Sequence, residues 1–268
     1  ERPEDLADKE ILTAEELVTR NQEVAEQVSL DNRPREETGA YNEFWAERGS
    51  LNARTSLIVD PSDGRLPALT PTEIRRRADH AASQAVHSTD SPEDRSAYDR
   101  CISRGLPGSM MPGFYNHNYQ ILQTPGYVVI LVEMIHDARI IPLDGRPHAA
   151  SQIKQWLGDS RGRWDGDTLV VETTNLTHKV ADRIRTTFGA GRHTTVVERF
   201  TRTAEDTIDY QITVTDPTEY STPWTAAIPM TALRGQLYEY ACHEGNYAMG
   251  NILSGARAEE QAAEAATR

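Results

Sequence analysis

Residues 207–214, TIDYQITV, alternate without a break. Ile208, Tyr210, Ile212 and Val214 share one face, and Thr207, Asp209, Gln211 and Thr213 the other. A period of two with one polar side predicts a strand that is wet on one face. From about residue 119 onward the chain repeats this kind of segment: YQILQT, YVVILVEMI, ARIIPL, TLVVETT, TTVVERFTR, TIDYQITV, WTAAIPM and QLYEYA. Thr-Pro-Gly, Asp-Gly, Trp-Asp-Gly-Asp and Ala-Glu-Asp turns separate them. GRWDGDTLVVETT and TRTAEDTIDYQIT have the same shape, two hairpins of one design.

No helix-length segment lies between these strands, so a parallel sheet is disfavoured and an antiparallel meander is expected. So many strands in succession must close or leave long edges, and closure predicts a mainly β, lipocalin-like (calycin) barrel over residues 114–255. Residues 1–113 read as helix and loop packed outside it. Thr13-Ala-Glu-Glu16 is a capping box opening a helix through about Leu30. Thr70-Pro-Thr-Glu73 repeats the signature before a helix over 72–86. RTSLIVD (54–60) reads as a short strand, and 87–113 as ordered loop. The tail, 256–268, has strong helix propensity and almost no apolar face.

Composition narrows the classes. The 268 residues carry a formal net charge of −13, which disfavours nucleic acid and anionic membranes as partners. No apolar run reaches the roughly 18–20 residues of a membrane span, so no membrane insertion is expected. Cys101 and Cys242 lie far apart and in no CxxC motif. They are either a disulfide of an exported protein or two unrelated buried thiols.

GxGxxG, a Walker loop and HExxH are all absent, leaving a nucleotide cofactor without support. What remains is a set of carboxylates inside apolar strands: Glu133 beside Leu131 and Ile135, Glu172 beside Val170, Glu198 beside Val196 and Phe200, and Glu239 beside Leu237. An unpaired carboxylate inside a barrel is expensive, so each must be paired, protonated or at a rim. Arg139, Arg163, Arg199, His136, His148 and His243 are the available partners. The expected catalytic set is Glu133, His136, Arg139, Glu172 and Glu198, with Glu133 and His136 leading as an acid–base pair. His148, Trp164, Tyr210, Trp224, Glu239 and His243 are the expected ligand-binding set, the tryptophans lining a pocket entrance. No cofactor is expected; a His/carboxylate metal site drawn from His136, His148 and His243 with Glu133, Glu239 or Glu244 is the alternative. His117, in YNHNY, reads as a loop residue.

Three blocks, YQILQTPGYVVILVEMIHDARIIPLDGRPH, WLGDSRGRWDGDTLVVETTN and VVERFTR through YEYACHEGNYAMGNILSGARAEE, carry a resemblance with YNEFWAERG and RTSLIVDPSDGRLPALTP. Over most of 41–262 the chain resembles a family of exported bacterial proteins of unassigned activity. The resemblance implies export to the periplasm or the exterior, a β-rich body and pairing of Cys101 with Cys242. It brings no catalytic residues with it. YNHNY departs from the family pattern, which more often has Asn where this chain has His117. Three functions fit these observations. One is an exported, cofactor-independent acid–base enzyme (hydrolase, lyase or isomerase) on a small, partly apolar molecule. The second is a non-catalytic carrier of such a ligand. The third is an extracellular protein that self-assembles into a homo-oligomer or filament through its N-terminal arm and tail.

Overall fold

The computed structural model describes residues 1–29, 43–47, 51–113, 115–180 and 191–267. Local chemistry sets the helices where the caps predict them. Helix α1 spans Ala14–Val28; Thr13 Oγ1 accepts from the Glu16 N–H, and the Glu16 carboxylate accepts from the Thr13 N–H at 2.8 Å. Helix α2 spans Pro71–His87, and its capping Thr70 also donates to the Thr218 carbonyl at 2.6 Å. Glu73, buried in the first turn of α2, is held by Arg76 and Arg77, and Arg77 reaches Glu219 at 2.6 Å. The start of α2 is thereby fastened to the segment that carries Thr218 and Glu219.

Among the described residues nine strands form two antiparallel sheets: β1 (Ile58–Asp60), β2 (Tyr119–Thr124), β3 (Tyr127–Val132), β4 (Ala138–Pro142), β5 (Asp159–Asp165), β6 (Thr168–Thr174), β7 (Thr195–Ala204), β8 (Thr207–Thr215) and β9 (Trp224–Thr231). The larger sheet runs β1-β9-β8-β7-β6-β5 and the smaller β2-β3-β4. Every ladder between these strands is antiparallel. Among the described residues neither sheet closes on itself, and no ladder joins β4 to β5. The two strands nevertheless meet closely: a Cβ added at Gly162 on β5 would lie 2.6 Å from Leu143 and 2.8 Å from Ile141.

The core lies between the sheets. Val128, Ile130, Val132 and Ile141 from the smaller sheet join Leu169, Val171, Val196, Phe200, Tyr210, Ile212 and Ala226 from the larger in one buried cluster. In β8 the face predicted apolar is the inward one: Tyr210, Ile212 and Val214 are buried, while Thr207, Asp209, Gln211 and Thr213 are not.

QLYEYA forms no strand. β9 is already flanked by β8 and β1, so 236–241 does not extend the meander beside it and runs as an irregular strap. The strap is fastened by a disulfide between Cys101 and Cys242, a pairing that fits an oxidising compartment. It leads into α3 (Ala248–Ala266), which buries none of its residues. No helix among the described residues is long and apolar enough to cross a membrane.

Candidate functional site

Glu198 stands in the middle of the larger sheet's inner face, between Val171 and Ile212 in register. It is fully buried, and its partner comes from the opposite sheet. Arg139, on β4, pairs with Glu198 through Nη1 at 2.8 Å and through Nη2, and it reaches Ser160 and Thr173 at 3.4 Å. The Tyr210 hydroxyl donates to Glu198 Oε1 at 2.9 Å. Burial works against the Arg139 charge, but the adjacent Glu198 carboxylate outweighs it and leaves the guanidinium pKa raised. Burial, and next the Glu198 charge, hold the Tyr210 hydroxyl well above its ordinary value, so it stays a neutral donor. This is a two-pronged ion pair that ties the sheets together across the core.

On one side of this tie the sheets separate around a cavity of about 1200 Å³. Ile121, Val128, Ile130, Leu169, Phe200 and Ile228 line its apolar walls. Its mouth lies at the hairpin ends, where Trp164, Asp167, Arg202, Glu205 and Asp206 gather. The Arg202 guanidinium is committed to its own hairpin, donating to the carbonyls of Ala204 (3.1 Å) and Glu205 (2.5 Å). His117 and Tyr119 bring polar atoms to the wall, and both are engaged by protein. Tyr119 donates to the Ser109 carbonyl at 3.1 Å. His117 lies beside Arg104, whose Nη1 is 3.2 Å from Nδ1. Burial first, and the Arg104 charge second, push the His117 pKa down to about 4, so the ring is neutral at pH 7.

The remaining expected site residues fall in separate places. His148 sits between two carboxylates, Asp159 at 3.0 Å from Nδ1 and Glu172 at 3.2 Å from Nε2, away from the cavity walls. Glu172 points away from the Glu198 face, since it is Val171 that shares Glu198's register position. Glu133, His136 and Glu239 line a second, shallower pocket of about 470 Å³. His243 is exposed on the strap. Trp164 is half exposed at the cavity mouth, whereas Trp224 is fully buried in the core with its ring edge-on to Tyr220. The structure therefore unites Arg139, Glu198 and Tyr210, pairs His148 with Glu172, and groups Glu133, His136 and Glu239.

Sequence reasoning missed His117 and Tyr119 as cavity-wall residues. Tyr119 opens a strand whose alternate positions, Tyr119 and Ile121, face inward; that alternation was legible, whereas the turn that brings His117 beside it was not. Among the described residues no group of three or more His, Cys, Asp or Glu side chains is placed to hold a metal ion. Protein-family models, curated proteins and solved structures give no match to the chain.

Proposed function

We propose that the protein is an exported binder of a small, largely apolar molecule, which it takes into the cavity between its two sheets. The observation that carries this reading is the cavity's chemistry: walls mostly apolar, an aromatic ring at the mouth, and the polar side chains of His117 and Tyr119 already engaged by protein. Removing apolar surface from water contributes about 25 cal/mol per Å², so a ligand hiding on the order of 200 Å² gains about 5 kcal/mol before the costs of association. A catalytic role for Glu198 fits poorly, because Arg139 and Tyr210 occupy the carboxylate that an acid–base mechanism would use. Binding without turnover is the simpler use of this geometry.

The two sheets are read as one incomplete barrel of the lipocalin-like kind, with its seam where β4 packs on Gly162 of β5. The close approach there and the shared core support this. Residence in the periplasm or outside the cell is supported by the disulfide and by the resemblance to exported bacterial proteins.

The test is a titration with a neutral, environment-sensitive fluorophore such as N-phenyl-1-naphthylamine. Saturable one-to-one binding is expected, with Trp164 quenched as the dye enters. Ile121→Trp, which fills the cavity from β2, is expected to weaken binding at least tenfold while the unfolding transition is retained. Dye binding that is non-saturable, or unaffected by Ile121→Trp, contradicts the reading. Turnover of a small ester or lactone library, abolished by Glu133→Gln, would favour the acid–base alternative.

A further inference from the structure

Glu133 and His136 belong neither to the cavity nor to the buried ion pair. The turn that carries them is strained. Ile135 (φ 64°) and His136 (φ 46°) are consecutive non-glycine residues in the left-handed region, and Ile135 is both β-branched and buried. The turn stops β3 at Val132 and sets Glu133 and His136 on one shallow pocket with Gln120, Gln236, Tyr238 and Glu239. The strap that supplies the last three of these is anchored just beyond by Cys242.

The pocket offers its occupant hydrogen-bond acceptors and negative charge. Glu133 is only 5% exposed. Its Oε2 accepts from the Asn118 side-chain amide at 2.8 Å and from the Asn118 N–H at 3.4 Å. Oε1 has no donor among the described residues, and no Lys or Arg lines the pocket. Glu239, on the strap, also pairs with no cation among the described residues. His136 Nδ1 lies 3.0 Å from the Tyr240 carbonyl. A carbonyl only accepts, so Nδ1 carries a proton. Tyr238, 70% exposed, adds a ring face. A buried carboxylate with an unshared oxygen favours a charged donor. An aromatic face beside it favours the same occupant.

We infer that this second pocket binds a small organic cation, an alkylammonium or alkylguanidinium group, between the Glu133 and Glu239 carboxylates with the Tyr238 ring against it. The inference is independent of what the inter-sheet cavity takes, since the two pockets share no lining residue.

The test is an NMR titration of the oxidised full chain at low salt with butylguanidinium, butylammonium and the neutral butylurea. Both cations are expected to shift the amides of Glu133, His136 and Glu239, with butylurea at least tenfold weaker. Glu133→Gln is expected to lower cation affinity at least tenfold. Glu239→Gln, on the exposed strap where folding is not at stake, is expected to lower it about threefold. Butylurea binding as tightly as the cations overturns the inference, as does cation affinity unchanged in both variants. Binding of Ca²⁺ or Zn²⁺ at these residues, with neither organic cation bound, also overturns it.

Discussion

Glu198 is the residue on which the interior depends, and its cost explains its company. A carboxylate in a sheet core is tolerated only when charge and hydrogen bonds meet it, here from Arg139 and Tyr210. Glu198→Ala is expected to destabilise the fold by about 3–5 kcal/mol, because it strands a buried guanidinium. The double variant Arg139→Met with Glu198→Leu should recover most of that loss; denaturant unfolding of the three proteins measures it. The inward face of Glu198 was legible from alternation with Val196 and Phe200. Its partner was not, since Arg139 lies 59 residues earlier and the contact crosses from sheet to sheet. Glu172 was harder still: Thr168, Leu169, Val170 and Val171 are all buried, so β6 carries no wet face to tell inside from outside. His117 supplies a second test. Its folded pKa is about 4 against an ordinary 6.5. For a depressed histidine the stabilisation is present above the unfolded pKa and is lost as pH falls through the folded one. The loss between pH 6.5 and 4 is roughly 3 kcal/mol from this group. His117→Asn should flatten that part of the stability profile, which urea unfolding across the pH range would show.

At the scale of elements, what is encoded locally was read well and what depends on neighbours was not. Thr13 and Thr70 announce their helices because a cap is settled within four residues. Thr70→Ala should cost about 1–2 kcal/mol, more than Thr13→Ala at about 1 kcal/mol, because Thr70 also holds Thr218. Thermal unfolding of both variants compares them. QLYEYA has a strand's composition, but β9 before it is already paired on both edges, and only the sheet order reveals that. The strap depends instead on Cys101–Cys242, which closes a loop across a sequence separation of 141. Cys101→Ser with Cys242→Ser is expected to cost about 2–5 kcal/mol. Hydrogen-exchange protection should fall selectively over 236–247 and at His136, with β6 to β8 unchanged. Equal loss throughout the sheets would show that the disulfide secures more than the strap.

At the scale of the whole molecule, the antiparallel β body and the C-terminal helix followed from the pattern of the chain. The cavity did not, because a gap between sheets is set by which inward side chains meet across it rather than by the pattern along either strand. The Arg139–Glu198 tie fixes the sheets on one side, and beyond it Ile121, Ile130, Leu169 and Ile228 face each other across space. The most direct measurement is a methyl NMR titration of the isotopically labelled protein with the neutral fluorophore. The account predicts saturable shifts and ligand-to-protein Overhauser contacts at Ile121, Val128, Ile130, Leu169 and Ile228. Ile140 and Ile153, exposed elsewhere, should stay unmoved. Contacts confined to Ile140, Ile153 or the strap, with the cavity methyls silent, would contradict it.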